Sequence, residues 1–266
     1  MTETEISPDL AAGIAGQRVL VTAGAGGIGR AIARRLLTHG ARVFVCDVSD
    51  AVLDAFGHAY PEVGRIRADV ADEGDVDRMF VAAEAYLGGL DALVNNAGIA
   101  GPTGGVDEID PADWRRTIDV CLTGQFLCAR RAVPLLKAAG GGSIVSMSSA
   151  AGRHGYAFRT PYSAAKWGVI GFTQSLAKEL GPAGIRVNAI LPGIVDGPRM
   201  EGVIRDRAAQ LGIPYAEMEA QYLSKVSLRT MVSQDDVAAM VAFLLSDAGR
   251  RVSGQSLGVD GNVEAL

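Results

Sequence analysis

Short, nearly continuous apolar runs alternate along the chain with longer stretches of helical pattern. The runs RVLVTA (18–23), ARVFVCD (41–47), GRIRADV (64–70), DALVNNAG (91–98), GSIVSMSS (142–149) and IRVNAILPG (185–193) predict strands, with a short seventh near 255–259. Their near-continuous apolarity fits strands covered on both faces. Helical patterns fill 29–39, 73–87, 112–139, 162–180 and 234–246. This alternation predicts an α/β fold, a parallel sheet with helices on both sides. No repeat or linker interrupts it, so a single domain over 1–266 is expected, with 1–15 as a flexible N-terminal segment. Segment 196–228 breaks the regularity. It holds VIRDRAAQL and YAEMEAQYL, both helix-like, between a strand and the last helix. Insertions of this length commonly act as lids, and a substrate lid is expected here.

Composition narrows the classes. Apolar residues make up 48% of the 266, enough for a substantial core and too many for wholesale disorder. The net charge of -5, with arginine pairs scattered along helical stretches, speaks against nucleic-acid binding. Cys46, Cys121 and Cys128 do not have the spacing of a disulfide framework or zinc knuckle, and His154 has no partner at metal spacing, so no metal is expected. The acidic start MTETEISPDL lacks an apolar signal core, and no run approaches the roughly 18 apolar residues that span a membrane. A cytoplasmic protein in a reducing compartment is the expectation.

The first strand runs into TAGAGGIG (22–29) and then a helix. Glycines there let backbone approach a pyrophosphate, whose charge suits a helix N-terminus. Asp47 ends the second strand, about 20 residues on, where a carboxylate accepts hydrogen bonds from an adenosine ribose and repels a 2'-phosphate. Neither Gly26 nor Val48 supplies a cation to offset that repulsion. In PYSAAKWG (161–168), Tyr162 and Lys166 stand four apart, on one face of a helix. A fixed cation beside a phenol favours the phenolate, so the pair suits proton transfer.

Taken in order, TAGAGGIG, Asp47, DV (69–70), NNAG (95–98), Ser149 thirteen residues before Tyr162, YSAAK (162–166) and PG (192–193) resemble the short-chain dehydrogenase/reductase family over nearly the whole chain. The resemblance implies a Rossmann-type, doubly wound parallel sheet of about seven strands, and NAD as cofactor. It implies that Tyr162 is the general acid/base, Lys166 its activator and the holder of the nicotinamide ribose, and Ser149 a hydrogen-bond donor to the substrate oxygen. It further implies cofactor contacts from Gly24, Ala25, Gly26, Gly27, Ile28 and Gly29, from Asp47 and Val48, from Asp69 and Val70, from Asn96, Ala97 and Gly98, and from Val195.

Three positions depart from the family pattern. Ala23 replaces the first glycine of the turn, with Gly24 following to let the turn adapt. Gly197 replaces a common threonine. Cys121 replaces the asparagine that completes the catalytic tetrad. GRHGYAFRT (152–160) lies between Ser149 and Tyr162, so it is expected to rim the pocket. His154, Tyr156 and Phe158 are candidates to touch substrate, and Arg153 or Arg159 to meet an anion. Arg199 and Met200 are similar candidates at the lid entrance. The leading expectation is an NAD-dependent dehydrogenase of a small polar secondary alcohol, sugar-derived or a hydroxy acid, or a reductase of the matching ketone. A 3-oxoacyl-thioester reductase is the alternative enzyme, and a catalytically silent NAD-binding scaffold the alternative of another class. The resemblance also implies a homotetramer, with 114–139 and 162–180 as interface helices, and with SGQSLGVDGN (253–262) and the helix before it at a second interface.

Overall fold

The computed structural model describes residues 12–264, apart from the side chains of Arg199, Asp206 and Gln210. Seven strands, β1 (Arg18–Val21), β2 (Arg42–Asp47), β3 (Gly64–Arg67), β4 (Ala92–Asn95), β5 (Gly142–Met147), β6 (Ile185–Pro192) and β7 (Ser256–Val259), form one sheet. The order is β3-β2-β1-β4-β5-β6-β7 and every pairing is parallel. Side chains alternate across each strand, so two cores form. Val19, Val21, Val43, Val45 and Val94 face α1 (Gly27–Thr38) and α9 (Gln234–Leu245), through Ile32, Leu36, Val237 and Val241. Leu20, Phe44, Leu93, Ile144 and Val187 face the other way. There they meet α3 (Glu73–Leu87), α5 (Gly124–Ala138) and α6 (Thr160–Leu180).

The structure departs from the sequence pattern in several places. α2 (Asp50–Ala59) occupies a stretch with no helix expected; Ser49 caps it by accepting from the Val52 N–H. The continuous helix expected over 112–139 is α4 (Pro111–Ile118) and α5, joined by a π-helical turn, Asp119–Thr123. Strands β1, β3 and β4 stop two or three residues early, so the turn at Ala23, the segment at Asp69–Val70 and the segment at Asn96–Gly98 become loops over the sheet's C-terminal edge. Residues 12–15, expected within a flexible terminus, are anchored: Ile14 is fully buried and the Ala12 carbonyl accepts from the Asp247 N–H at 2.8 Å. Residues 1–11 of that expected segment lie outside the described residues.

Segment 196–228 folds into α7 (Pro198–Leu211) and α8 (Tyr215–Ser224), packed together through Ile204, Ala208 and Met218. Isolated bridges, Val195 to Val232 and Val226 to Val263, flank it. Gly197, with φ 142, starts α7 in a conformation that side chains disfavour.

Candidate active site

The strand order reverses between β1 and β4, and in open α/β sheets ligands bind at such a point, outside the carboxyl ends of the strands. The turn from β1 into α1 borders it. The left-handed conformation of that turn falls on Ala23, with φ 47, rather than being relieved at Gly24. Gly24 is needed for another reason: a Cβ there would stand 2.7 Å from Val45. A Cβ on Gly29 would stand 2.0 Å from the Ala23 carbonyl oxygen, so helix and turn meet backbone to backbone. No side chain caps α1, and a Cβ on Gly27 would meet nothing within 4 Å. The first-turn N–H groups thus border open space, a cradle that fits a pyrophosphate.

Thr22, which the sequence reading passed over, locks this turn to the neighbouring loop. Its Oγ1 accepts from the Asn96 and Ala97 N–H groups, each at 3.0 Å. Asn96 Nδ2 donates to the Thr22 and Ala23 carbonyls, so its amide holds backbone. Asp47, half-buried, ends β2 and accepts from the Ser49 N–H at 3.2 Å. Opposite it in register stands Arg67, a cation from β3 and not from position 26 or 48. Arg67 donates to the Val48 carbonyl and pairs with Asp50 at 3.6 Å, so it is engaged with residues other than Asp47. Asp69 pairs with Arg116 of α4 at 2.7 Å and accepts from the Ala71 N–H.

Ser149 follows β5, where its Oγ accepts from the Ala151 N–H at 3.2 Å and caps a 3-10 turn. Tyr162 and Lys166 lie on the first turns of α6, with Lys166 Nζ 5.6 Å from the centre of the Tyr162 ring. Lys166 is buried, and its Nζ donates to the Met147 carbonyl at 2.8 Å. Ser148 Oγ donates to the Lys166 carbonyl at 2.7 Å, tying helix to strand end.

The π-helical turn places Cys121, fully buried, against the segment after β4. Its thiol accepts from the Ile99 N–H and donates to the Ile99 carbonyl, both at 3.4 Å. Gln125, one helical turn on and buried, donates from Nε2 to the Cys121 carbonyl at 3.2 Å and to the Met147 carbonyl at 3.1 Å. Gln125 and Lys166 therefore share one acceptor. A lone amide four residues after Cys121, among apolar neighbours, was the available sequence signal. Burial pushes the Cys46 thiol up to about 12, and Cys128 is likewise raised, which disfavours a thiolate at either. Among the described residues no group of three or more His, Cys, Asp or Glu is arranged to hold a metal.

The rim residues separate. Arg159 lies with its Cζ 5.3 Å from the ring centres of both Tyr156 and Tyr162. Tyr222, on α8, has its phenol raised by burial first and by Tyr156 next, while Arg207 and Arg159 pull the other way. Arg153 is turned to β7, donating to the Ser256 carbonyl at 3.0 Å. Phe158 is exposed. His154 is half-buried, and no hydrogen bond ties its side chain to the others among the described residues. Met200 packs with Ile194 and Tyr222, whereas the Arg199 side chain lies outside those described.

A family model described as enoyl-(acyl carrier protein) reductase matches residues 22–263. The chain is 40% identical over 251 residues to cis-4-hydroxycyclohexanecarboxylate dehydrogenase of Sinomonas cyclohexanicum, covering 93% of this chain and 96% of that protein. The chain belongs to the short-chain dehydrogenase/reductase family. Two solved structures from the comparison carry nicotinamide cofactors. One is an actinorhodin polyketide ketoreductase with NADPH, 32% identical with a TM-score of 0.89, covering 96% of this chain and all of that one (100%). The other is an NAD+-bound xylitol dehydrogenase, 28% identical with a TM-score of 0.88, covering 94% and 99%. Like its relatives, this short-chain dehydrogenase/reductase is an oxidoreductase acting on CH–OH groups and the matching carbonyls. Among the described residues no helix is long and apolar enough to cross a membrane.

Proposed function

We propose that the chain is an NAD-preferring dehydrogenase of a small secondary alcohol, sugar-derived or a hydroxy acid, with Ser149, Tyr162 and Lys166 as its catalytic residues. One observation carries the reading: a buried lysine, pinned to the Met147 carbonyl, stands against the Tyr162 ring at the C-terminal edge of the sheet, with Ser149 on the adjoining strand end. The first-turn N–H groups of α1, at Gly27, Ile28 and Gly29, suit the cofactor's pyrophosphate, and Asp47 its adenosine ribose. Asp69 and Val70 would flank adenine. Ala97, Gly98, Val195 and Lys166 would hold the nicotinamide end. When bound, the nicotinamide accepts or supplies the hydride. Tyr162 takes the hydroxyl proton during oxidation and returns it during reduction. Lys166 stabilises the phenolate that forms. Ser149 donates to the same substrate oxygen and holds it in line.

Cys121 stands in for the tetrad asparagine. Its two weak bonds to Ile99 keep the segment after β4 in place, a supporting role that a thiol can fill. The Cys121 carbonyl takes the Gln125 amide, and the main chain of the π-helical turn is where a relay water would be held. Segment 196–228 is read as a lid, supported by its two flanking bridges and the Gly197 start. A homotetramer is supported by Phe126 on α5 and Trp167 on α6, exposed at 48% and 51%, on helices that would then meet a second copy. Light scattering giving a monomer at micromolar concentration would contradict it.

The test of function is NADH formation against a panel of secondary alcohols, including hydroxy acids and sugar alcohols. Turnover of at least one confirms the reading; none, with NAD demonstrably bound, leaves a silent binding protein. The likeness to a polyketide ketoreductase keeps a 3-oxoacyl-thioester reductase as the second reading. Asp47 opposes its NADPH form, and oxidation of NADPH with an acetoacetyl thioester is the matching assay.

A further inference from the structure

The loop between Ser149 and Tyr162 ends in a cation with no counter-charge among the described residues. Arg159 is half-buried, and its Nη2 donates to the Ala100 carbonyl at 2.6 Å. Its guanidinium carbon stands 5.3 Å from the Tyr162 ring and 5.3 Å from the Tyr156 ring. Phe158, just before it, has φ 62, a conformation bulky side chains rarely adopt, and its carbonyl accepts from the Gly104 N–H at 3.0 Å. Such strain persists where the surroundings enforce it. Here it accompanies a loop that sets Arg159 between the catalytic tyrosine and the segment after β4.

Arginine stays charged at any working pH. Among the described residues no carboxylate lies within ion-pair distance of Arg159. Its Nε is sealed from solvent and has no hydrogen-bond partner. A part-buried cation in that state is costly until an anion completes it. Tyr222 of α8, which feels the Arg159 charge, packs with Met200 and Met231, partly exposed, over the buried Ala150 and Ile194.

We infer that Arg159 anchors a carboxylate of the substrate, so the alcohol this enzyme oxidises is a hydroxy acid whose carboxylate and hydroxyl are joined by an apolar body. The inference deepens the dehydrogenase reading of the same site and rests on it. The carboxylate meets the open side of the guanidinium, the apolar body lies on the partly exposed Tyr222, Met200 and Met231, and the hydroxyl reaches Tyr162 and Ser149. Arg159 then acts in binding and orientation, not in proton transfer.

The probes are 4-hydroxycyclohexanecarboxylate, its methyl ester and cyclohexanol, assayed with NAD+ on the full chain and on Arg159→Gln and Arg159→Lys. Charge-assisted hydrogen bonds of this kind are worth about 10- to 100-fold. The wild type should favour acid over ester by that factor in kcat/KM. Arg159→Gln should bring the ratio near one, chiefly by raising KM for the acid, with Arg159→Lys between them. The pH profile of ester turnover should keep its shape. An acid-to-ester ratio near one in the wild type overturns the inference and leaves the dehydrogenase standing. So does a shifted pH profile with equal loss on acid and ester in Arg159→Gln, which would mean that Arg159 serves the Tyr162 phenolate. Binding of the unreactive cyclohexanecarboxylate to the NADH complex, by calorimetry, reads the anion site without turnover. Binding lost in Arg159→Gln supports the anchor even if no alcohol is oxidised; no binding to the wild type refutes it.

Discussion

Replacing Gln125 by leucine tests whether the buried amide holds the catalytic floor together. Gln125 Nε2 bridges the Cys121 carbonyl at 3.2 Å and the Met147 carbonyl at 3.1 Å, at 2% exposure. Leucine has similar bulk and no donor. Two neutral hydrogen bonds disappear, each worth about 0.5–1.5 kcal/mol net. Met147 keeps Lys166 as a donor, while the Cys121 carbonyl loses its side-chain donor inside the π-helical turn. Against this, the Gln125 Oε1 has no partner, and its removal returns part of the loss. The balance is about 1–2 kcal/mol of destabilisation, a fall of about 2–4 °C in Tm for a chain of this size. Lys166 keeps its acceptor, so turnover should fall by no more than about tenfold. The assay is thermal unfolding followed by circular dichroism, with steady-state kinetics on the same preparation. A Tm within a degree of wild type would show that the bridge carries nothing. A thousandfold loss of turnover in the folded variant would show that Gln125 belongs to the chemistry itself.

Other outcomes follow from the same geometry. kcat/KM should favour NAD over NADP by on the order of a hundredfold or more, because a 2'-phosphate would face the Asp47 carboxylate while Arg67 is paired with Asp50; equal values would refute it. Cys121→Ser should change turnover by no more than about tenfold, or about 1.4 kcal/mol of barrier, since a hydroxyl can repeat both bonds to Ile99; a thousandfold loss would assign the thiol a chemical role. Hydrogen exchange across 196–228 should slow in the ternary complex, and unchanged exchange at saturation would reject the lid.

The sheet was legible in the sequence because β1, β2, β4, β5 and β6 are almost unbroken apolar runs. Their ends were not, because polar groups decide them. Thr22 Oγ1 draws the Asn96 and Ala97 N–H groups out of the ladder, and hydropathy does not register that pull. α2 escaped because its ten residues bury only Leu53, Phe56 and Gly57, too few to establish a period. The helix over 112–139 has a helical pattern throughout, and the π-helical turn inside it is tied to its surroundings by Ile99 and the Gln125 amide, tertiary contacts with no sequence signature. Ser149, Tyr162 and Lys166 could be singled out only from their place in the ordered family motifs, not from spacing alone. What Arg67, Arg116 and Arg159 pair with could not, because each pairing joins segments distant in sequence or depends on a loop conformation.

The central claim is that the Tyr162 phenol moves the proton while Lys166 and the surrounding loops hold the cofactor. Tyr162→Phe separates the two roles, since it removes one hydroxyl and keeps the ring beside Lys166. The decisive measurement pairs kcat on an accepted alcohol with NADH affinity by fluorescence titration, wild type against Tyr162→Phe. The account predicts a loss in kcat of about 100- to 10,000-fold with NADH affinity close to wild type. A variant that keeps more than half of the wild-type kcat would contradict it.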